Sequence, residues 1–185
     1  TAVGFGYLLT FEVLDGLSQD WGFSWSDIGA NAAGVGLFFA QQEWWKEQRI
    51  RMKFSSSSSP YAQYRPEVLG SNFAERLFKD YNGQTYWLSV NPHSFLNTSS
   101  RFPKWLNIAF GYSIDERIFG SQNTAILTID GNDRAFTSRR QYLISLDIDL
   151  QKITVKKPWL KTLFHTLNHI KIPFPAVEYS NAGFK

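Results

Sequence analysis

The chain of 185 residues carries 19 Lys and Arg against 16 Asp and Glu, a net charge of +3, and no cysteine. That length suits one domain, and the charge excess is too small for a dedicated nucleic-acid binder. Without cysteine there are no disulfides, thiolate nucleophiles or Cys-based metal and iron–sulfur centres. Aromatic residues make up 17% and charged residues 19%. Rings with polar edges suit surfaces that are apolar on one side and wet on the other, as at membrane interfaces and subunit contacts.

An apolar run follows directly on Thr1, with no charged n-region and no cleavage-site pattern. The expectation is that further residues, a targeting segment among them, precede it, and that SNAGFK is an interruption rather than a stop. Residues 1–14 read as a helix with Leu8, Leu9, Phe11 and Leu14 apolar and Glu12 its only charge. Asp15–Gly16 breaks it. A second helix runs from Ser26 or Asp27 to Trp45. Ser24 and Ser26 are N-cap types, and Asp27 falls in the first turn, where the dipole favours a carboxylate. The apolar stretch IGANAAGVGLFFA has 13 residues, short of the ~20 that a membrane span needs. It is either a buried core helix or one arm of a membrane-inserted hairpin. Ala30 with Gly34 and Ala32 with Gly36 make a small-residue stripe for close packing, with the first helix as antiparallel partner.

Trp44 and Trp45 separate that run from the basic cluster Lys46, Arg49, Arg51 and Lys53. The order is that of an interfacial helix end, or of a globular helix leaving its core. Ser55–Ser59, Pro60 and Pro66 read as a flexible loop. A short helix fits Ser71–Tyr81, with Ser71 or Asn72 as cap, Glu75 and Lys79 as an i,i+4 pair, and Asn82–Gly83 as its stop.

The second half changes character. Ala125–Ile129 is β-prone and Asp130–Asp133 is a turn signal. Tyr142, Ile144, Leu146, Ile148 and Leu150 alternate with Leu143, Ser145, Asp147 and Asp149, the clearest strand in the chain. It is expected to form a hairpin with 123–129, and residues 105–112 are available as a third strand. Pro158 opens a helix to Ile170 with Leu160, Leu163, Phe164, Leu167 and Ile170 on one face. With Lys156, Lys157, Lys161 and Trp159 it reads as a surface-seeking amphipathic helix or as an ordinary helix docked on the sheet.

The expected fold class is therefore α+β, mainly helical, within a single domain. An apolar helical hairpin occupies 1–54, a flexible loop 55–66, and an α+β remainder 67–185 with a small antiparallel hairpin and a C-terminal amphipathic helix.

Chemical motifs are sparse. His165 and His169 share a helix face, but the Glu of HExxH and a third ligand are missing, so no metal is expected. Asp130, Asn132 and Asp133 lack the remaining elements of a calcium loop. There is no GxSxG or SxxK nucleophile motif and no phosphate loop. Asn97-Thr98-Ser99 matches a glycosylation acceptor. One polar constellation stands out: Glu12 and Asp15 on the first helix, Asp27 and Asn31 on the second. If the helices pair, these four converge near the connecting turn. They act either as caps and bridging hydrogen bonds or as a general acid/base or cation site.

The strings GYLLTFEVLDG (6–16) and WGFSWSDIGANAAGVG (21–36) are continued by RPEVLGSNFAERLFKDYNGQTYWLSVNP (65–92), FPKWLNIAFGY (102–112) and RRQYLISLDIDLQKI (139–153). Together they resemble the long Bacteroidetes members of the YfiM family (DUF2279), predicted periplasmic lipoproteins of unknown function. Asp27, Asn31 and Gly34 also resemble the Asp-x-x-x-Asn-x-x-Gly pattern of VanZ-like membrane proteins. Asp15 stands where those usually carry Gln, and the family's upstream Asp-Lys…His segment is not among these residues. The resemblance implies a cell-envelope location at the outer membrane and brings no established reaction.

The expected function is that of a non-enzymatic envelope protein on the periplasmic face of the outer membrane, a subunit or accessory of a larger outer-membrane assembly. Its partners are an outer-membrane protein and membrane lipid, without cofactor or nucleic acid. Trp44, Trp45, Trp159, Lys161 and Phe164 are the expected contacts. The alternative is a membrane-surface enzyme acting on lipid or cell-wall precursors through Glu12, Asp15, Asp27 and Asn31.

Overall fold

Strands take a larger share of the described residues than α-helices do. The computed structural model describes Gly6 and residues 25–96, 101–119, 124–180 and 183–184. It divides into two units, 1–49 and 50–185. In the first, helix α1 spans Trp25–Trp45 and ends where Lys46 turns left-handed at φ 57°. Residues 47–49 fold back on it: the Arg49 backbone N–H donates to Gln41 Oε1 at 2.8 Å, and the Arg49 guanidinium lies 4.9 Å over the Trp45 ring. Apart from Gly6, the expected partner helix, 1–14, lies outside the described residues. Among the described residues, no helix is long and apolar enough to cross a membrane.

The second unit overturns the expectation of a mainly helical protein. Its frame is a six-stranded antiparallel sheet in the order β1–β2–β3–β6–β7–β8. The strands are β1 (Ile50–Ser56), β2 (Gln84–Val90), β3 (Leu106–Asp115), β6 (Arg139–Ile148), β7 (Ala176–Ser180) and β8 (Gly183–Phe184). The helical hairpin was expected to reach residue 54 because charges follow an apolar helix there. In fact Arg51 and Lys53 alternate with Ile50, Met52 and Phe54, and this two-residue period makes β1. Ser55 and Ser56 belong to β1 as well, so the expected loop starts two residues too early.

Residues 141–150 do not pair with 123–129. Strand β4 (Thr124–Ile129) instead forms a separate ribbon with β5 (Asn132–Thr137). The two-residue turn Asp130–Gly131 joins them, both residues at positive φ (52° and 80°), the geometry that matches strand twist in a tight hairpin. Strand β6 pairs with β3 and β7.

Strands β1, β3 and β7 run towards one end of the sheet, β2 and β6 towards the other. Connections 57–83 and 116–138 therefore share one end and form a cap. It contains α2 (Pro66–Leu69), α3 (Phe73–Lys79) and the β4–β5 ribbon. Helix α3 is capped by Asn72, whose Oδ1 accepts from Glu75 N at 3.0 Å. Ala62, Leu69, Ile118, Ala125 and Phe136 make an ordinary buried apolar core in the cap, with Tyr61, Tyr64 and Val68 packed on it. Connections 91–105 and 149–175 lie at the opposite end, the latter carrying α4 (Pro158–Leu167).

Candidate membrane-facing sheet and its polar interior

On one face of the sheet the register aligns three apolar rows. Phe54, Tyr86, Tyr112, Tyr142 and Tyr179 form an aromatic row nearest the cap, one residue from each of five strands. Met52, Leu88, Phe110, Ile144 and Val177 form the second row, and Ile50, Val90, Ile108 and Leu146 the third. Ten of these large side chains are exposed, from Leu88 at 38% to Val177 at 59%. A water-soluble sheet buries that face and wets the other.

The other face is polar and buried. Lys53 Nζ lies 2.7 Å from Asp147 Oδ2 with neither side chain accessible. The same oxygen accepts from Ser89 Oγ at 2.6 Å. Asn107 Nδ2 donates to Ser89 Oγ at 2.9 Å, and Asn91 Nδ2 to Asn107 Oδ1 at 2.6 Å. Lys53 Nζ also donates to Asn168 Oδ1 at 3.2 Å, and Asn168 Nδ2 donates to Asp149 Oδ1 at 2.9 Å. Arg51 Nε stands 3.8 Å from Asp149 Oδ2. Buried charges persist when paired and hydrogen-bonded; this network pairs them across four strands, while Arg51 Nε, Asp147 Oδ1 and Asp149 Oδ2 are buried without a hydrogen bond.

The segment after α4 closes the interior. The Phe54 N–H donates to the His169 carbonyl at 2.9 Å, and the Lys171 N–H to the Phe54 carbonyl at 2.8 Å, so residues 169–171 run parallel to the edge of β1. The Lys171 side chain points inward: its Nζ donates to Ser145 Oγ at 3.2 Å and lies 4.8 Å over the Trp87 ring. Burial pushes its ammonium below the ordinary lysine range; Asp147 opposes the shift and Lys53 adds to it. Trp87 donates to Ser55 Oγ at 2.8 Å, and its ring lies flat on Gly111. A Cβ at that glycine would stand 2.7 Å from the indole.

The anticipated site residues fall elsewhere. Glu12 and Asp15 lie outside the described residues, as does the side chain of Asp27. Asn31 is half-buried on α1, and no convergence of the four is described. Trp44 is 77% and Trp159 62% exposed, and Lys161 is exposed too. Trp45 lies under Arg49. Phe164 is half-buried, lining a groove of about 200 Å³ between α4 and Leu150–Val155, smaller than an ordinary ligand pocket. His165 and His169 are exposed, and among the described residues no three His, Asp or Glu side chains gather to hold a metal. Sequence reasoning missed the Lys53–Asp147 pair and Lys171. The signal was available in the alternation of 50–56, 84–90 and 106–115, where the residues between the apolar positions include Lys53, Ser89, Asn107 and Ser113.

Comparison with family models, with curated proteins and with solved structures finds no match to this chain.

Proposed function

We propose that residues 50–180 form a lipid-embedded β-sheet in an outer membrane, belonging to a non-enzymatic protein of the cell envelope. One observation carries this reading: the sheet is inverted, with apolar rows outside and charge inside. Membrane β-structures have that arrangement, an outward apolar band bounded by aromatic girdles around a polar interior. The aromatic row from Phe54 to Tyr179 marks one boundary, and the exposed Trp105 and Trp159 lie at the other end. Strands β3 and β6 have 10 residues each, within the ~9–11 that a tilted membrane strand uses. The cap beyond the aromatic row has a buried apolar cluster of its own, Ala62, Leu69, Ile118, Ala125 and Phe136, although Phe73, Phe78 and Ile126 on its surface stay exposed.

The YfiM-like strings and their implied outer-membrane location belong to the same reading. In lipid every strand edge must be paired. The edge beyond β8 is then met by a neighbouring strand, which the reading places in a larger outer-membrane assembly.

The chain has no cysteine, so single-cysteine labelling is direct. Nitroxides at I144C and S145C, in protein reconstituted into bilayers, test the reading. I144C is expected to be reached by oxygen from the acyl region and shielded from a water-borne nickel chelate, with S145C shielded from both. A nickel-accessible I144C rejects the reading.

A further inference from the structure

The two ends of the sheet differ in charge. The cap connections 57–83 and 116–138 carry five Lys and Arg against six Asp and Glu. At the opposite end, once the interior Asp149 and Lys171 are set aside, connections 91–105 and 149–175 hold Arg101, Lys104, Lys152, Lys156, Lys157 and Lys161 and no acid at all. The net charge of the whole chain, +3, conceals this separation.

The same end presents an apolar stripe. On α4, Trp159, Leu163 and Leu167 are exposed. Their spacings of four residues keep them within roughly a quarter of the helix circumference. Ile170, beyond the end of the helix and exposed too, is the bridge partner of Phe54 at the edge of β1. Leu160 and Phe164 are the half-buried residues that hold α4 in place. Lys156 and Lys157 are exposed just before the helix, whereas Lys161 lies about 160° around the helix from the middle of the stripe and lines the groove with Phe164. A helix with aromatic and aliphatic groups on one side and lysines at its start lies in the headgroup region, drawn by apolar burial and by attraction to anionic lipid.

We propose that α4 and the basic connections around it form a docking surface for anionic glycerophospholipid headgroups, in the leaflet opposite the cap. Lys156 and Lys157 meet headgroup phosphates while Trp159, Leu163 and Leu167 enter the boundary with the acyl chains. This rests on the lipid-embedded reading of the sheet and adds the leaflet and the headgroup class. Charge complementarity selects the occupant, since a zwitterionic surface offers six cations no net attraction.

The test uses the full chain in bilayer discs of phosphatidylcholine, with or without phosphatidylglycerol. An environment-sensitive fluorophore at L163C reports on the helix, and one at I144C reports on the sheet in the same discs. L163C is expected to move into an apolar environment as phosphatidylglycerol is added. The double variant K156Q/K157Q is expected to lower the docked-to-undocked ratio by about tenfold at low salt, since each lysine near an anionic surface contributes several-fold. Raised salt is expected to act in the same direction. An L163C signal indifferent to phosphatidylglycerol, or unchanged by the double substitution, overturns the docking surface while an apolar I144C leaves the sheet in lipid. A water-exposed I144C overturns the embedded sheet itself, and the docking surface with it.

Discussion

Lys53 and Asp147 face each other at 2.7 Å with no exposed surface on either side chain, between strands separated in the sheet by β2 and β3. A soluble sheet would fill this position with aliphatic groups. Here the ion pair is the core, and Ser89, Asn107 and Asn168 extend it by hydrogen bonds.

Removing one member strands the other's charge. K53M and D147L are each expected to destabilise by about 3–5 kcal/mol, and the double variant by less than the sum. Denaturant titration of the reconstituted protein, monitored by tryptophan fluorescence, measures both. Additive effects would show that the two groups are not coupled.

Burial on the outer face is expected to depend on lipid rather than protein. In bilayers, I144R should cost about 2–4 kcal/mol, as charges on lipid-facing barrel positions do near the midplane. A surface position in water would tolerate the same change within about 0.5 kcal/mol. Unfolding I144R and the parent in matched vesicles distinguishes the two.

Gly111 is required because Trp87 covers it. G111A places a methyl against the indole and is expected to cost about 1–3 kcal/mol by overpacking. In a W87L background the cost of G111A should fall below about 0.5 kcal/mol. An unchanged cost would place the strain in the β3 backbone instead.

Lys171 makes stability depend on pH. Its folded pKa lies below the ordinary 10.5, so between those two values the unfolded chain binds more protons than the folded one. Stability therefore rises with pH across that window and levels off near the ordinary lysine value. Melting curves through the alkaline range should show this slope in the parent and lose it in K171M.

Strand β6 was legible because five apolar residues alternate with Leu143, Ser145, Asp147 and Asp149 without interruption. Helix α4 is legible from its stripe, and α3 from the cap types Ser71 and Asn72 and the Glu75–Lys79 spacing, with Asn72 the residue that caps it. The remaining strands carry the same two-residue period, but arginine, lysine and serine occupy the inward positions of 50–56. Charge was read there as solvent exposure. That inference fails in an inverted sheet, where the usual meaning of polar and apolar positions is exchanged. The Lys53–Asn168 contact was beyond reach for a different reason: 115 residues separate the two, and local spacing carries no information at that range. The aromatic excess was visible from composition, but only the register shows that five of the rings stand in one row.

The return of residues 169–171 to the edge of β1 has a kinetic consequence. Strand pairings in the sheet join elements that are neighbours along the meander, interrupted by the β4–β5 ribbon, so they can zip in sequence as the connections of 15 to 27 residues between β1 and β7 close. The Phe54–Ile170 bridge instead joins the sheet's first strand to a segment that follows α4. Closing so large a loop carries the greater entropic cost, and contacts of this kind form slowly. The 169–171 segment is thus a latch that shuts last, and until it does, Lys53 and Asp147 have an open side to water.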